Sequence, residues 1–179
     1  MNKPKLKELF KITDKPIAII GAAPSAKDDL LHIPNDCEYF AVNFHFLHQG
    51  MFDFKYLAFL DSPERGGCSP IKQNMYRRFK GIKFSSRSNW SDYDCTDPKP
   101  LNINDSGIFA TWIALYLTTN KVYLCGVNNR KPGMTMYHEK SWLYTSEIVP
   151  NRHVSWRNWH TLLEETQENK RIIFPDKSF

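Results

Sequence analysis

The stretch Pro16-Ile-Ala-Ile-Ile-Gly-Ala-Ala-Pro-Ser25 constrains the fold more than any other part of this chain. Residues 16–20 form a short apolar, partly β-branched run, which is typical of a buried strand. Gly21 permits close backbone approach, the following proline presets a helical first turn, and Ser25 is suited to cap a helix through Leu31. The stretch therefore predicts a first β-strand that passes through a tight turn into a first helix.

This junction of strand and helix predicts a place for an anionic ligand. In a parallel α/β sheet it lies at the carboxyl edge of the strands, where free N–H groups and the positive end of a helix dipole favour a phosphate. The alternative is that residues 21–25 form only a well-made turn, and the local sequence favours neither interpretation. The segment matches neither GxGxxG nor GxxxxGKS/T, so the common phosphate-binding fingerprints do not decide the question.

A chain of 179 residues with 41% hydrophobic residues has the size of one domain, so we expect a single nucleotide-binding α/β domain over 1–179.

Its cysteines, at positions 37, 68, 95 and 125, are far apart and form no CxxC pair. His45 and His48 have no further ligands nearby, so we predict no metal site. An apolar leader and a run of about 20 apolar residues are both lacking, and we expect a cytoplasmic protein with reduced thiols and no membrane span.

The net charge of +5 is a modest bias towards anionic partners. Five lysines against two acidic residues give the basic lead-in segment, residues 1–15, a net charge of +3. We expect this segment to be a solvated amphipathic helix with Leu6, Leu9 and Phe10 on one side, rather than an arm for nucleic acid.

Short apolar runs recur along the chain in alternation with helical segments. Further strands are predicted at Glu38–Asn43, Lys55–Leu60, Gly81–Phe84, Lys121–Gly126 and Lys170–Phe174. Helices are predicted at Ile71–Phe79 and Asp105–Thr118. This alternation predicts a single Rossmann-like α/β domain with a mostly parallel sheet of five or six strands, flanked by helices and joined by right-handed crossovers.

Polar residues follow several of these strands. Asn43 ends the second strand and Asp61 ends the third, so we expect both at the same carboxyl edge as Gly21. Asn43 is placed to contact a base or a ribose, although asparagine also caps turns often. The sequence Asp105-Ser-Gly107 opens the longest helix with a capping side chain and a glycine, which predicts a second helix start that faces an anion.

Two loops are long enough to cover this edge. Residues 85–104 are rich in Ser, Asn, Asp and Pro, with Trp90 and Tyr93 embedded among them, and residues 129–150 form the second long connection. Connections of this length are usually functional lids or disordered segments. We predict both as lids, since aromatic residues favour an ordered loop.

The order of these motifs resembles glycosyltransferase family 42, the bacterial sialyltransferases that use a CMP-linked donor. A Gly-x-x-Pro-Ser turn follows the first strand, an Asn ends the second, and Ser106-Gly107 opens a long apolar helix that leads into a strand ending in Gly126. Domain-of-unknown-function proteins similar to a hydroxymethylpterin pyrophosphokinase share these elements. The block from Ser106 to Asn128 matches best, and the rest of residues 16–175 matches by the order of elements.

The resemblance implies a nucleotide site built from these motifs. The first turn would line the nucleotide phosphates, the end of the second strand would contact the nucleotide, and the start of the long helix would lie beside the sugar or the phosphate. The predicted nucleotide-binding residues are Gly21, Ala22, Ser25, Asn43, Asp61, Ser106, Gly107 and Asn128.

The resemblance also implies catalytic residues late in the chain. In the family, two tyrosines hold the CMP phosphate and a histidine is the general base. Tyr137 matches one tyrosine, and Arg130, whose guanidinium would neutralise a phosphate, falls near the other. His153 lies within a few residues of the base, and His138 is the competing base. An imidazole with a pKa of about 6.5 is partly neutral at working pH, so we predict His153 as the base.

Three functions stay open. The first is a transferase with a CMP-sugar as donor. The second is a pyrophosphokinase-like phosphotransferase, which would require Mg²⁺ held by Asp61 and Asp105. The third is a non-catalytic nucleotide-binding protein, because Ala22 replaces an Asn of the family and Asn128 replaces an Asp. No cofactor is firmly implied by the sequence, which also leaves open the acceptor and whether the protein forms a homo-oligomer.

Overall fold

The computed structural model describes residues 3–21, 25–43, 52–60, 62–65, 68–95, 105–127 and 169–175. Six strands form one sheet in which all neighbours are parallel. They are β1 (Ile17–Ile20), β2 (Glu38–Val42), β3 (Phe54–Ala58), β4 (Ile82–Phe84), β5 (Val122–Cys125) and β6 (Ile172–Ile173), in the order β4-β3-β2-β1-β5-β6. The predicted Rossmann-like α/β fold is confirmed, and every strand end lies within two residues of its predicted position.

The carboxyl ends of the three central strands are level with one another. Ile20, the last residue of β1, lies opposite Ala41 of β2 on one side and Cys125 of β5 on the other. All four residues of β1 are buried, which is expected for a parallel strand with helices or loops over both faces. Residues that follow these strands therefore emerge at one common edge of the sheet.

The long helix α3 (Ser106–Leu117) covers one face of the sheet. Ile17 and Ile19 of β1 share a hydrophobic core with Phe109 and Ile113 of α3, and all four are fully buried. The helix contacts β1, β2, β3 and β5. Its apolar residues occupy nearly every side, which is typical of a helix that is buried against a sheet.

The helix α2 (Pro70–Arg78) lies between β3 and β4 in the chain. Its start follows the usual rules, with Pro70 in the first turn and Ser69 Oγ accepting a hydrogen bond from the N–H of Lys72 (3.4 Å). Tyr76 is its buried residue, and its ring stacks on that of Phe59 with centroids 4.4 Å apart. Within the described ranges, the helices lack the length and apolar character needed to span a bilayer.

The first helix, α1 (Ala26–Asp29), is a single turn and is shorter than predicted. We expected a helix capped by Ser25 that runs through Leu31, but the chain tightens into a 3-10 turn at Leu30–His32. Ser25 has helical backbone angles, and its Oγ donates to Asp29 Oδ2 (3.0 Å) instead of accepting from the first turn. The predicted Ser25 cap is therefore wrong, because the hydroxyl bonds to a carboxylate one turn further on.

The basic lead-in segment is not an amphipathic helix. Leu6–Leu9 forms one 3-10 turn that buries Leu6 and Leu9, whereas Phe10 has an extended backbone and is 54% exposed. On the amino side of this turn, the N–H of Leu6 donates to the carbonyl O of Asp94 (3.2 Å). This pairing holds the chain extended against residues 85–95, which is why the predicted helix does not form.

Residues 85–95, the first part of a predicted lid, are anchored by buried serines. Ser88 Oγ donates to Glu64 Oε2 (2.8 Å), and Ser91 Oγ donates to the carbonyl O of Lys83 in β4 (3.3 Å). These bonds attach the segment to its neighbours in the fold. The remainder of this loop, 96–104, and the second predicted lid, 129–150, lie outside the described residues.

Candidate functional site

The order in which successive strands join the sheet reverses at β1. From β1 the chain passes to β2, β3 and β4 on one side, whereas β5 and β6 lie on the other side. In such sheets a crevice forms outside the carboxyl ends of the two central strands, and ligands bind there. We call this place the β1–β5 junction and define it by Gly21, Asp29, Gly107, Gly126 and Val127.

Gly21 keeps the ends of β1 and β5 in close contact. A Cβ at this position would lie 2.4 Å from the carbonyl O of Gly126, and the N–H of Gly21 donates to the carbonyl O of Cys125 (2.7 Å). Gly126 has a φ of 66°, a conformation that favours glycine. The close backbone approach predicted for Gly21 is present, and the backbone that approaches it is that of Gly126.

The start of α3 lies against the same junction. A Cβ on Gly107 would lie 3.2 Å from Val127 Cγ1, which shows how closely this helix start approaches the end of β5. Asp105 caps the helix as predicted, since its Oδ1 accepts from the N–H groups of Gly107 (2.8 Å) and Ile108 (3.0 Å). Two of the donors expected to face an anion are therefore already bonded to a carboxylate.

Asp29 is the residue of this site that sequence reasoning missed. Its side chain is only 2% exposed, and its Oδ2 accepts from the N–H of Gly126 (2.7 Å) and from Ser25 Oγ (3.0 Å). The other oxygen, Oδ1, is the one buried side-chain N or O atom of the described residues that has no hydrogen-bond partner. The only local signal was the spacing of Ser25 and Asp29, which places them on one side of a helical turn.

The thiol of Cys125 lies close to this carboxylate at the end of β5. Burial, then the negative charge of Asp29, and then Cys37 raise the pKa of Cys125 above its ordinary value. The thiol is therefore neutral at physiological pH. Cys125 is fully buried and packs in the hydrophobic core with Ala18 and Ile20 of β1.

Asn43 lies at the same edge, one strand away from Gly21. It follows β2 directly, has a φ of 56°, and donates its N–H to the carbonyl O of Ala58 (2.8 Å). Asparagine adopts this left-handed conformation more readily than most residues do. The backbone requirement explains an asparagine here, and the half-buried side chain lies at the edge where a nucleotide contact was predicted.

The structure brings together several of the predicted nucleotide-binding residues. Gly21, Ser25, Ser106 and Gly107 lie at or next to the β1–β5 junction, with Asn43 one strand further along. The other predicted site residues lie outside the described residues; they are Ala22, Asp61, Asn128, Arg130, Tyr137, His138 and His153.

The described part of the junction is rich in acceptors rather than donors. The hydroxyl of Ser25 donates to Asp29, and the N–H of Gly107 donates to Asp105, so two predicted phosphate contacts bond to carboxylates instead. A phosphate beside these carboxylates would meet like charge. Hydroxyl or amino groups of a ligand fit this part of the site better.

A second cluster of titratable side chains lies at the opposite, amino edge of the sheet, beside an open groove of about 500 Å³. Glu38 begins β2 and accepts from Lys55 Nζ (2.5 Å) and from the hydroxyl of Tyr56 (2.8 Å). We call these three residues the Glu38 cluster. Sequence reasoning missed it, because its members lie on different strands and become neighbours only through the sheet.

The contacts of the Glu38 cluster shift the pKa values of Glu38 and Tyr56 in opposite directions. Burial by itself would raise the pKa of Glu38, but hydrogen bonds from Lys55 and Tyr56 and the charge of Lys55 outweigh it, so the pKa is lowered. Burial and the bond to Glu38 raise the pKa of Tyr56 well above its usual value. Both groups are therefore held in the forms that bond to each other, a carboxylate and a neutral phenol.

Comparison of the chain with protein-family models, curated proteins and solved structures gives no significant match. Within the ranges that the structure describes, no three His, Cys, Asp or Glu side chains come together as ligands for a metal ion.

Proposed function

We propose that this protein binds a nucleotide at the carboxyl edge of its sheet and acts as a nucleotide-sugar-dependent glycosyltransferase. One observation carries the proposal. The six described strands are all parallel, and the strand order reverses between β1 and β5, where Gly21, Gly107 and Asp29 all lie against the residues that follow β5. Sheets of this kind bind their ligands at this place, and nucleotides are common among those ligands.

The resemblance to family 42 supports a transfer reaction at this edge. Such a reaction breaks the bond between the sugar and the phosphate, so negative charge develops on the leaving phosphate while the acceptor hydroxyl loses its proton. Arg130 and Tyr137 would stabilise that charge, and His153 would take the proton. These residues would have to supply the positive charge that the described part of the junction lacks.

A second function, nucleotide binding without transfer, follows from two positions of the sequence. Ala22 and Asn128 replace an amide and a carboxylate that the family carries at these places. Binding depends on shape and on many contacts, whereas transfer requires each reacting group. The loss of two polar groups is therefore compatible with a protein that retains only the binding step.

Calorimetric titration with CMP, CDP, UDP, AMP and ATP tests the binding step directly. We expect CMP to bind, and we expect the protein to release CMP from a CMP-sugar in a turnover assay followed by chromatography. Tight binding of CMP without release would support the second function, and Mg²⁺-dependent consumption of ATP would support a phosphotransferase. If none of the nucleotides binds, the proposed function is wrong.

Two variants separate binding from chemistry. His153→Ala is expected to abolish transfer and to leave the affinity for CMP within a few-fold of the wild type. Ser106→Leu is expected to weaken binding itself, because Ser106 lies beside the junction at the start of α3. Thr119→Leu, an exposed position beyond the other end of this helix, is the matched control and should leave both steps unchanged.

A further inference from the structure

The free oxygen of Asp29 is the feature of the junction that its fold does not explain. A buried carboxylate is unfavourable unless its oxygens accept hydrogen bonds. Asp29 Oδ2 accepts two, from Gly126 and Ser25, and these suffice to join α1 to the end of β5. Oδ1 accepts none from the described part of the chain, although the side chain is 98% buried.

The surroundings restrict what could bond to this oxygen. An ionised carboxylate only accepts hydrogen bonds, so its partner must bring a proton. The hydroxyl of Ser25 and the N–H of Gly126 both donate to Oδ2 rather than to Oδ1. A ligand at the junction that carries a hydroxyl or amino group would supply the donor that the described part of the chain does not.

We propose that Asp29 is the hydrogen-bond acceptor for the ribose hydroxyls of the bound nucleotide, so that the ribose lies at the β1–β5 junction and the phosphate points away from it. This inference rests on the proposed function and adds the orientation of the ligand. It reverses the arrangement that the resemblance implied, in which the turn after β1 lines the phosphates. The ribose is the hydroxyl donor that every candidate nucleotide shares.

Electrostatics favour this orientation over the reverse. With the phosphate at the junction, its charge would lie close to Asp29 and to Asp105, two carboxylates of this edge. Like charges in a buried site repel strongly because little water screens them. With the ribose at the junction, the same carboxylate forms a charge-assisted hydrogen bond, which is stronger than a neutral one.

The substitution Asp29→Asn distinguishes the two orientations by the sign of its effect. Asparagine keeps an oxygen for the N–H of Gly126 but replaces the second oxygen by an NH₂ group and removes the charge. If Asp29 accepts from the ribose, the affinity for CMP should fall about tenfold or more. If Asp29 faces the phosphate, removal of its charge should raise the affinity instead. Asp28→Asn removes the same charge from the exposed neighbouring position and should change the affinity less than twofold.

Deoxynucleotides provide a test that does not depend on a variant. Calorimetry of the wild type should show that 2′-deoxy-CMP or 3′-deoxy-CMP binds about tenfold more weakly than CMP, and Asp29→Asn should bind all three almost equally. Cytidine, which has no phosphate, should lose as much affinity on Asp29→Asn as CMP does. Equal binding of all three nucleotides by the wild type overturns the proposal.

The two proposals fail in different ways. If the wild type binds none of the nucleotides or nucleosides, both the proposed function and the role of Asp29 are wrong. If CMP binds with an affinity that Asp29→Asn leaves unchanged or raises, nucleotide binding stands and only the ribose contact is overturned. Chemical denaturation of the variant should show a folded protein of wild-type stability, which ensures that a lower affinity reflects the lost contact.

Discussion

Two carboxylates are buried at opposite edges of the same sheet, and they differ in how completely they are hydrogen-bonded. Glu38, at the amino edge, is 7% exposed, and its two oxygens accept from Lys55 and Tyr56. Asp29, at the carboxyl edge, is 2% exposed and leaves one oxygen without a partner in the described part of the chain. The two carboxylates are thus similarly buried, but only Glu38 has a described hydrogen-bond donor for each of its oxygens.

This difference distinguishes Glu38, a carboxylate that stabilises the fold, from Asp29, the carboxylate that we propose bonds to a ligand. A fully bonded buried carboxylate joins neighbouring strands, and its loss leaves other polar groups unsatisfied. A partly bonded one destabilises the free protein slightly, and a ligand that supplies the missing donor recovers that free energy. The carboxyl edge of a parallel sheet is also where ligands bind, so the unsatisfied group lies at the expected edge.

The largest effect is expected from Gly21→Ala, which would separate the two strand ends that position Asp29. The new Cβ would lie 2.4 Å from the carbonyl O of Gly126, and because that atom belongs to the backbone, the end of β5 has to move. We expect the free energy of unfolding to fall by about 3 kcal/mol or more, measured by urea denaturation.

The matched control for Gly21→Ala is Gly107→Ala on the other side of Val127. Its Cβ would meet Asp105 Oδ1 at 3.1 Å and Val127 Cγ1 at 3.2 Å, and both of these are side-chain atoms that can shift by a few tenths of an ångström. The expected loss is at most about 1 kcal/mol. Equal losses in the two variants would show that the contact between Gly21 and Gly126 is not tighter than the others.

The next largest effect sharpens the contrast between the two carboxylates. Glu38→Gln removes the charge that Lys55 and Tyr56 bond to, and we expect it to lower the free energy of unfolding by about 2 kcal/mol. Asp29→Asn should leave stability within about 0.5 kcal/mol of the wild type or raise it, because it removes an incompletely bonded buried charge. A larger loss in Asp29→Asn than in Glu38→Gln would contradict the roles given to these residues.

Acid titration of stability gives a second measure of Glu38. The pKa of Glu38 is lower in the folded protein than its ordinary value of 4.5, so its contribution is present above pH 4.5 and is lost as the pH falls through the folded value. The difference in stability between the wild type and Glu38→Gln should therefore be constant near neutral pH and shrink below pH 4.5. A constant difference down to strongly acidic pH would show that the charge of Glu38 does not contribute.

Much of the fold was predictable from the sequence, because apolar runs and helix starts are local signals. The strands β1, β2 and β5, the burial of α3 and its Asp105 cap all follow from neighbouring residues. The early end of α1 was not predictable, because its last residue, Asp29, bonds to Gly126, 97 residues further along the chain. Nothing in residues 25–31 indicates that partner.

The candidate site was predictable in place but not in chemistry. The glycines at positions 21 and 107 lie at the carboxyl edge of the sheet, where they were predicted, and each allows a close approach that involves the end of β5. The hydrogen-bond partners of the predicted ligand-binding groups were not predictable, because a sequence does not show that the hydroxyl of Ser25 bonds to Asp29 rather than to a ligand. The bond from Tyr56 to Glu38 was equally invisible, since it forms between neighbouring strands.

A smaller effect is expected from Tyr56→Phe, which removes one donor to Glu38 without changing its charge. We expect a loss of about 1 kcal/mol near neutral pH. The pKa of Tyr56 is raised above its ordinary value of 10.0, so its contribution is present below pH 10 and is lost as the pH rises towards the folded value. The advantage of the wild type over the variant should therefore shrink above pH 10, and an advantage that grows there would contradict this assignment.

The smallest effect is expected from Lys55→Met, which removes the charged partner of Glu38. The side chain of Lys55 is 54% exposed, so water and salt screen its charge and the ion pair contributes less than about 1 kcal/mol. Denaturation in low salt and in 1 M salt should give a difference from the wild type that decreases with salt, whereas the loss in Tyr56→Phe should not depend on salt. If Lys55→Met lowers the free energy of unfolding as much as Glu38→Gln does, the exposed lysine is the more important partner of Glu38. Burial of the tyrosine would then not explain why this carboxylate stabilises the fold.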